Sequence, residues 1–283
     1  MKNDGRKINS KNLNDSGIDA SRRNSQFYIH SRYIDHILPN ELINICTVSF
    51  NQNECIRTLY ESLKSTCKMP WRMHVVDNGS ADSSIEELTD FCNKNRINLL
   101  TRKCRYTMSR ASQAHGDALD FIVKSIGDDN SILSIVDSDF YFVKIGWDSI
   151  IRGLLPKGGH ITTMRGLNVH KPAAFMSVFR KRYVKNKRIS FMPIVGKTGK
   201  ALEFRDVGYE LGEIQMSKWQ KLMNIPMSDS TYGITSVEGS CDISINGIPI
   251  ASHLSRGRLV GRRREVHAQW ADECRKYLNK TKK

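Results

Sequence analysis

Residues 131–140 read SILSIVDSDF, an apolar run that stops abruptly at Asp137-Ser138-Asp139. Such a run has the character of a buried strand that ends on two carboxylates in i, i+2 spacing. Two earlier stretches end in a similar way. Leu42-Ile43-Asn44-Ile45-Cys46-Thr47-Val48 closes on Ser49-Phe50-Asn51, and Trp71-Arg72-Met73-His74-Val75-Val76 closes on Asp77-Asn78-Gly79-Ser80. Helical periodicity separates them. Ile56, Leu59, Tyr60 and Leu63 predict a helix over 54–64 with Asn53 as its N-cap. Ile85, Leu88, Phe91 and Cys92 predict a second helix, with Ser83 and Glu86 as a capping box. A brief strand at 98–100, helices over 114–126 and 147–155, and a strand His160–Met164 continue the alternation. Strands alternating with helices predict an α/β fold, a mostly parallel sheet flanked by helices on both faces. Ligands of such sheets sit beyond the carboxyl ends of the strands, where the three polar turns fall.

The chain has 283 residues, 39% hydrophobic and 26% charged, enough to bury a sizeable core as one large domain or two small ones. No apolar run approaches the roughly 18–20 residues of a membrane span, and the opening MKNDGRKINSKNLNDSG lacks an apolar signal core. The expected location is cytoplasmic, with a peripheral position at the inner face of the membrane as the alternative. Cysteines 46, 55, 67, 92, 104, 241 and 274 are odd in number and never in CxxC spacing, so they read as reduced thiols and indicate neither a disulfide framework nor a zinc cluster. Residues 1–40 are polar: 1–25 read as a tail and 26–40 as an arm that packs on the body.

A net charge of +15 asks for a polyanionic partner. Residues 180–200 hold eight Lys/Arg and no Asp/Glu, and residues 255–283 hold ten against Glu265, Asp272 and Glu273. These two segments carry the whole excess, so the rest of the chain is neutral. Nucleic acid, a phosphate-bearing substrate and an anionic membrane face are the partner classes this charge admits.

Taken alone, Asp137-Ser138-Asp139 is either a polar turn closing a strand or a pair of carboxylates meeting one hard cation, with phosphate oxygens completing its shell. Asp77-Asn78-Gly79-Ser80 alone is a turn, because Asn-Gly accepts positive φ cheaply. In order, however, TVSFNQNECIRTLYESL (47–63), MHVVDNGSADSSIEEL (73–88), AHGDAL (114–119) and SILSIVDSDF resemble the inverting family 2 glycosyltransferases of GT-A fold. The resemblance covers 41–164, fades over 165–205 and returns faintly at the C-terminus. It implies a nucleotide-sugar-binding half at 41–164 and an acceptor-binding, basic part at 165–283 of the same domain.

The resemblance implies that Ser49, Phe50 and Asn51 shape the pocket for base and ribose, that Asp77 accepts a hydrogen bond from one of them, and that Gly79 and Ser80 turn the backbone away. Asp137 and Asp139 would meet the ribose and a divalent cation on the diphosphate, which neutralises the leaving group. His115-Gly116 departs from the family's Asn-x-Gly, and His115 reads as a helix-start or pocket-lining residue. Asp206, ahead of a helical stretch carrying Leu211, Ile214 and Leu222, is the candidate base; Glu210 and Glu238 are rivals, and an N-capping role for Asp206 stays open. The segment Ser252-His253-Leu254-Ser255-Arg256-Gly257-Arg258 resembles the family's late His-x-x-x-Gly segment. There His253 would complete the metal shell, tilting the choice from Mg2+ to Mn2+, and Arg256 and Arg258 would grip the diphosphate. Arg262-Arg263-Arg264 could close over pyrophosphate, face lipid phosphates or simply be solvated.

The implied donor is a UDP-sugar first, a GDP- or dTDP-sugar next, and the acceptor a glycan, lipid-linked saccharide or protein. A nucleic-acid-binding protein is the alternative, but no helix-turn-helix, RNP or zinc pattern supports it. A nucleotidyltransferase would need a Gly-rich phosphate loop, which Ser49-Phe50-Asn51-Gln52-Asn53 is not. The intact DxD argues against a degenerate transferase kept as a scaffold.

Overall fold

The computed structural model describes residues 41–282, apart from 107–109, 127–128, 156–159, 165–171, 199–200, 206, 208–209, 211–224, 229–231, 246 and 255–262. The expected tail 1–25 and arm 26–40, the candidate base Asp206, the helix after it, and Arg256, Arg258 and Arg262 lie outside the described residues.

Strands β1 (Ile43–Ser49), β2 (Trp71–Asp77), β3 (Asn98–Thr101) and β4 (Ile132–Val136) form a parallel block in the order β3-β2-β1-β4. Helices α1 (Asn53–Thr66), α2 (Asp82–Asn95) and α3 (Ala111–Ser125) make the crossovers. The chain then runs through β5 (Phe140–Phe142), α4 (Trp147–Leu154), β6 (His160–Met164), β7 (Pro172–Arg180) and α5 (Lys181–Lys187). A separate hairpin pairs β8 (Ile194–Thr198) with β9 (Ala201–Arg205). β10 (Ile225–Ser228), β11 (Ser240–Ile245), β12 (Ile248–Leu254) and α6 (Arg263–Thr281) complete the described elements. The main sheet continues past β4 as β7-β6-β10-β11-β12-β5. β7 runs antiparallel between β4 and β6, so the residues before and after 164 share one sheet.

Both faces of the sheet are covered, as the α/β pattern requires. Ile43, Ile45, Met73, Val75 and Ile132 face Ile56, Leu59 and Leu63 of α1, Leu88 and Cys92 of α2, and Trp147 and Ile151 of α4. Cys46, Val76, Leu133 and Ile135 face Ala118, Leu119 and Ile122 of α3, joined by Tyr183 and Val184 of α5. The period-2 alternation of each strand divides its side chains between these layers. A third cluster seats α6 through Trp270, Ala271, Cys274 and Leu278 against Tyr141, Val143 and Leu254.

Helix existence follows periodicity, but the expected caps do not form. Asn53 is the first residue of α1, behind Gln52, and makes no cap bond. Its amide donates instead to Ser84 O (2.9 Å) and Glu87 Oε2 (3.0 Å), tying α1 to α2. Ala81 takes the cap position of α2 without a side-chain bond, so the Ser83–Glu86 box is absent. For α1 a tertiary partner displaces the local one; for α2 the helix starts at Asp82, one residue ahead of Ser83, so Ser83 lies within the first turn and not at the cap.

Glu273 of α6 holds the loop before β11. Its carboxylate accepts hydrogen bonds from the Thr235 hydroxyl (2.8 Å), the Ser236 N–H (2.6 Å) and Gln269 Nε2 (3.0 Å). Burial alone would raise the Glu273 carboxyl, but the bonds from Gln269, Ser236 and Thr235 outweigh it and hold it at about 2, against an ordinary 4.5. A carboxylate depressed in this way stabilises the fold above its unfolded value, and the contribution is lost as pH falls toward the folded one. Glu273→Gln is therefore expected to lower stability at pH 7 by about 1–2 kcal/mol, after allowance for solvent screening. Denaturant titrations at descending pH should show the gap to wild type closing between about pH 5 and 2.

Candidate functional site

The turn Asp137-Ser138-Asp139 joins β4 to β5, and β5 pairs antiparallel with β12 in a register that sets Phe140 opposite His253. The Leu254 N–H donates to the Asp139 carbonyl at 2.9 Å and fixes that register beside the turn. The His253 imidazole is thereby delivered to both carboxylates: Nε2 lies 3.2 Å from Asp139 Oδ1 and 3.4 Å from Asp137 Oδ2. One ligand atom from each of Asp137, Asp139 and His253 falls within 4.8 Å of the others. His253 and Asp139 are buried, while Asp137 keeps 22% side-chain exposure and opens the cluster to solvent.

Two carboxylates and an imidazole nitrogen are a donor set for a divalent cation of the Mn2+ type, with coordination positions left for oxygens of a ligand. The electrostatics agree. Burial would lower the His253 pKa, but the Asp139 charge and bonds to Asp137, Asp139 and Cys241 outweigh it and raise it well above the ordinary value. The two carboxylates thus hold a positive charge beside them, as a proton on His253 or as a metal ion. Cys241, opposite His253 across β11 and β12, lies with Sγ 3.7 Å from His253 Nδ1 and leaves Nε2 aimed at the carboxylates.

The turns at the ends of β1 and β2 form one braced unit. Asp77 Oδ2 accepts the N–H groups of Gly79 and Ser80 (both 3.1 Å), and its Oδ1 accepts the Ser80 hydroxyl. A carboxylate offers about four acceptor positions, so Oδ1 retains one for a ligand. Ser80 Oγ also accepts the Asn51 N–H (2.8 Å), and Asn51 Oδ1 accepts the Ala81 N–H (2.9 Å). Asn51 has φ +53°, Gly79 φ +86° and Phe50 an exposed ring. A side chain on Gly79 would also crowd the Cys104 backbone nitrogen at 3.2 Å. Ser49 ends β1 with its Oγ buried, while its carbonyl accepts the Asn78 N–H at 2.9 Å.

Several contacts around these turns gave no signal in the sequence. The Ser138 hydroxyl donates to Gln52 Oε1, linking the DxD turn to the β1 turn. Asn78 Nδ2 donates to Ala114 O (3.1 Å), linking the β2 turn to α3. His115, expected as a helix-start or pocket-lining residue, lies in the second turn of α3 with Nε2 3.7 Å from Asp137 Oδ1. Gly116 matters through its missing side chain, since a Cβ there would meet Phe191 O at 2.5 Å. Of the rival bases, Glu210 accepts the Ser190 N–H at 2.6 Å, and Glu238 is exposed in the loop before β11.

Manganese titration of the purified protein checks the cluster. His253→Ala is expected to weaken Mn2+ by about tenfold or more and Mg2+ much less, since imidazole favours the softer ion. Mn2+ and Mg2+ affinities left unchanged would remove His253 from the donor set.

The family comparison covers the turns that end β1, β2 and β4, and not His253. The model of the family described as glycosyl transferase family 2 matches residues 44–185, half of the chain. No curated protein sequence matches. Among solved structures, the mannosyltransferase PcManGT from Pyrobaculum calidifontis, in complex with GDP-Man and Mn2+, is 11% identical with a TM-score of 0.41, over 55% of this chain and 51% of that one. TarS 1–349 from S. aureus in complex with UDP is 16% identical with a TM-score of 0.38, over 53% and 49%. The galactosyltransferase LgtC with donor and acceptor sugar analogues is 10% identical with a TM-score of 0.39, over 50% and 59%. The chain spans about half the length of these structures.

Proposed function

This chain belongs to glycosyl transferase family 2, and from that premise we propose that it moves one sugar, with inversion, from a nucleotide-diphosphate sugar to a glycan, lipid-linked saccharide or protein. The convergence of Asp137, Asp139 and His253 at the junction of β4, β5 and β12 carries the reading. It supplies a divalent-cation site beside the braced turns that end β1 and β2. A UDP-sugar is the first choice of donor, ahead of GDP- and dTDP-sugars.

Asp137, Asp139 and His253 would hold Mn2+ or Mg2+, which when bound supplies the positive charge that the departing diphosphate needs. The free acceptor position on Asp77 Oδ1 meets a ribose hydroxyl or a base N–H, and Asn51, Ser80 and Gly79 keep that carboxylate in place. Ser49 and Phe50 line the same end of β1. An inverting transfer proceeds in line: the acceptor oxygen bonds to the anomeric carbon as the carbon–oxygen bond to the diphosphate breaks. A carboxylate must take the acceptor's proton, and Asp206 is the residue proposed for it. Glu210, already bonded to the Ser190 N–H, and Glu238 are its rivals. Arg256 and Arg258 are proposed to steady the diphosphate, and the basic C-terminal part to face an anionic acceptor or membrane surface. Among the described residues no helix is long and apolar enough to cross a membrane.

A thermal-shift screen of UDP, GDP and dTDP with and without Mn2+ tests the donor half. Nucleotide at about 100 times its Kd should raise the melting temperature by roughly 5–10 °C, only with metal and not in Asp139→Ala. No nucleotide response, with salt-sensitive binding of DNA or RNA instead, would sink the reading. Asp206→Asn should keep the nucleotide response and lose transfer by a factor of at least about 100. Full transfer activity in that variant would move the base to another residue.

A further inference from the structure

A cavity of about 620 Å3 lies on the flank of α3, where the segment following β3 passes the helix. That segment contributes Arg102, Lys103 and Arg105, and the helix contributes Phe121 and Lys124. Two acids also line it, but both are engaged. The Asp117 carboxylate and carbonyl hold the Arg102 guanidinium. The Asp120 carboxylate accepts the Ser190 hydroxyl (2.6 Å) and the Phe191 N–H (2.8 Å). Lys103, Arg105 and Lys124 hold no hydrogen bond or ion pair among the described residues. Among the described residues the cleft therefore presents three unpaired cations.

Its remaining wall is aromatic. The Phe121 ring is 37% exposed, and Arg102 lies over it at 5.4 Å from the centroid, so the ring is braced. A ring of this kind in a cavity gives a flat apolar face of the sort that a sugar ring's C–H side covers. Cations around it select against a neutral ligand, and the volume falls within the range of small-molecule pockets, about 300–1,000 Å3. The concave shape and single aromatic wall suit a chain lying in a groove better than a flat bilayer. The cleft also borders the donor turn: the Cys104 backbone, between Lys103 and Arg105, packs against Gly79.

We propose that this cleft is a second saccharide site. It takes an anionic glycan chain whose carboxylate, phosphate or sulfate groups meet Lys103, Arg105 and Lys124 while one sugar ring lies on Phe121. The inference rests on the glycosyl-transfer reading for its choice of ligand class and extends it to the chain that carries the acceptor.

The test uses the full chain with saturating UDP and Mn2+ and measures binding of four probes by calorimetry. These are a polygalacturonate hexasaccharide, maltohexaose, a single-stranded oligonucleotide of matching charge, and phosphatidylglycerol vesicles. The hexagalacturonate should bind at least about tenfold more tightly than maltohexaose. Lys103→Ala with Arg105→Ala, and Lys124→Ala alone, should each weaken it severalfold. Phe121→Ala should do the same and Phe121→Trp should restore it, a pattern that diffuse charge attraction would not give. Hexagalacturonate binding indifferent to Phe121, or an oligonucleotide or vesicle that depends on the same four residues, overturns the proposal, as does no binding at all. The UDP–Mn2+ thermal shift, read in the same variants, should stay at the wild-type value. Its absence in the wild type, with saccharide binding intact, would refute the transfer reading and leave the cleft assigned.

Discussion

The hydrogen bond from the Leu254 N–H to the Asp139 carbonyl is the contact on which the site depends. It locks β5 to β12, and through that register a histidine 114 positions away reaches the DxD carboxylates. Without the pairing, Asp137 and Asp139 would be two like charges at a strand end, with nothing to hold Asp139 buried beside Asp137. With it, His253 supplies a proton-bearing or metal-binding nitrogen between them. Two packing features keep β12 in place. Trp270 of α6 donates from Nε1 to Ser252 Oγ at 3.0 Å, on the residue before His253. Cys241 occupies the other ring nitrogen's side. The strand is thus held from α6 on one side and β11 on the other, and the imidazole is oriented before any ligand arrives.

The turns that end β1, β2 and β4 are held by a different device, bonds between loops. Ser80 serves Asp77 and Asn51 together, Ser138 reaches Gln52, and Asn78 reaches Ala114. Turns from β1, β2 and β4 and the start of α3 are therefore one network of short polar side chains. Such residues favour turns because they bond to nearby backbone. The same capacity lets them bond across turns, so the loops become a rigid rim. The positive φ at Gly79 and the closeness of Cys104 leave no room for a side chain there, which is why the sequence carries Asn-Gly at that point.

The parallel strands and their crossover helices were legible because each announces itself locally, by a period of 2 or 3.6 and a polar stop. The DxD was legible for the same reason, together with the order of the three turns. What escaped was set by long-range pairing. β5 is only Phe140–Phe142, too short to show a period, and gains its meaning from β12. The α6 stripe of Trp270, Cys274 and Leu278 is thinly spread in a basic stretch, so composition masked a packed helix. The α1 cap failed for a related reason, since Asn53 bonds across to Ser84 of α2, while the α2 box failed because the helix begins one residue ahead of Ser83.

Charge shows the same separation between sum and structure. The formal excess lies in residues 180–200 and 255–283, yet much of it is used within the fold. Arg180 pairs with Glu41, Lys181 donates to the Ile126 carbonyl, and Lys185 pairs with Asp129. Arg275 and Lys276 hold Glu61 and Asp272. Meanwhile Lys103, Arg105 and Lys124 belong to the stretch whose charges cancel on paper, where Asp117 is committed to Arg102 and Asp120 to the Ser190 hydroxyl and the Phe191 N–H. Cancellation along a sequence is not cancellation in space. A neutral half that ties its acids into structural bonds leaves cations lining a cleft, and a basic half that ties its cations into such bonds gives up part of its field.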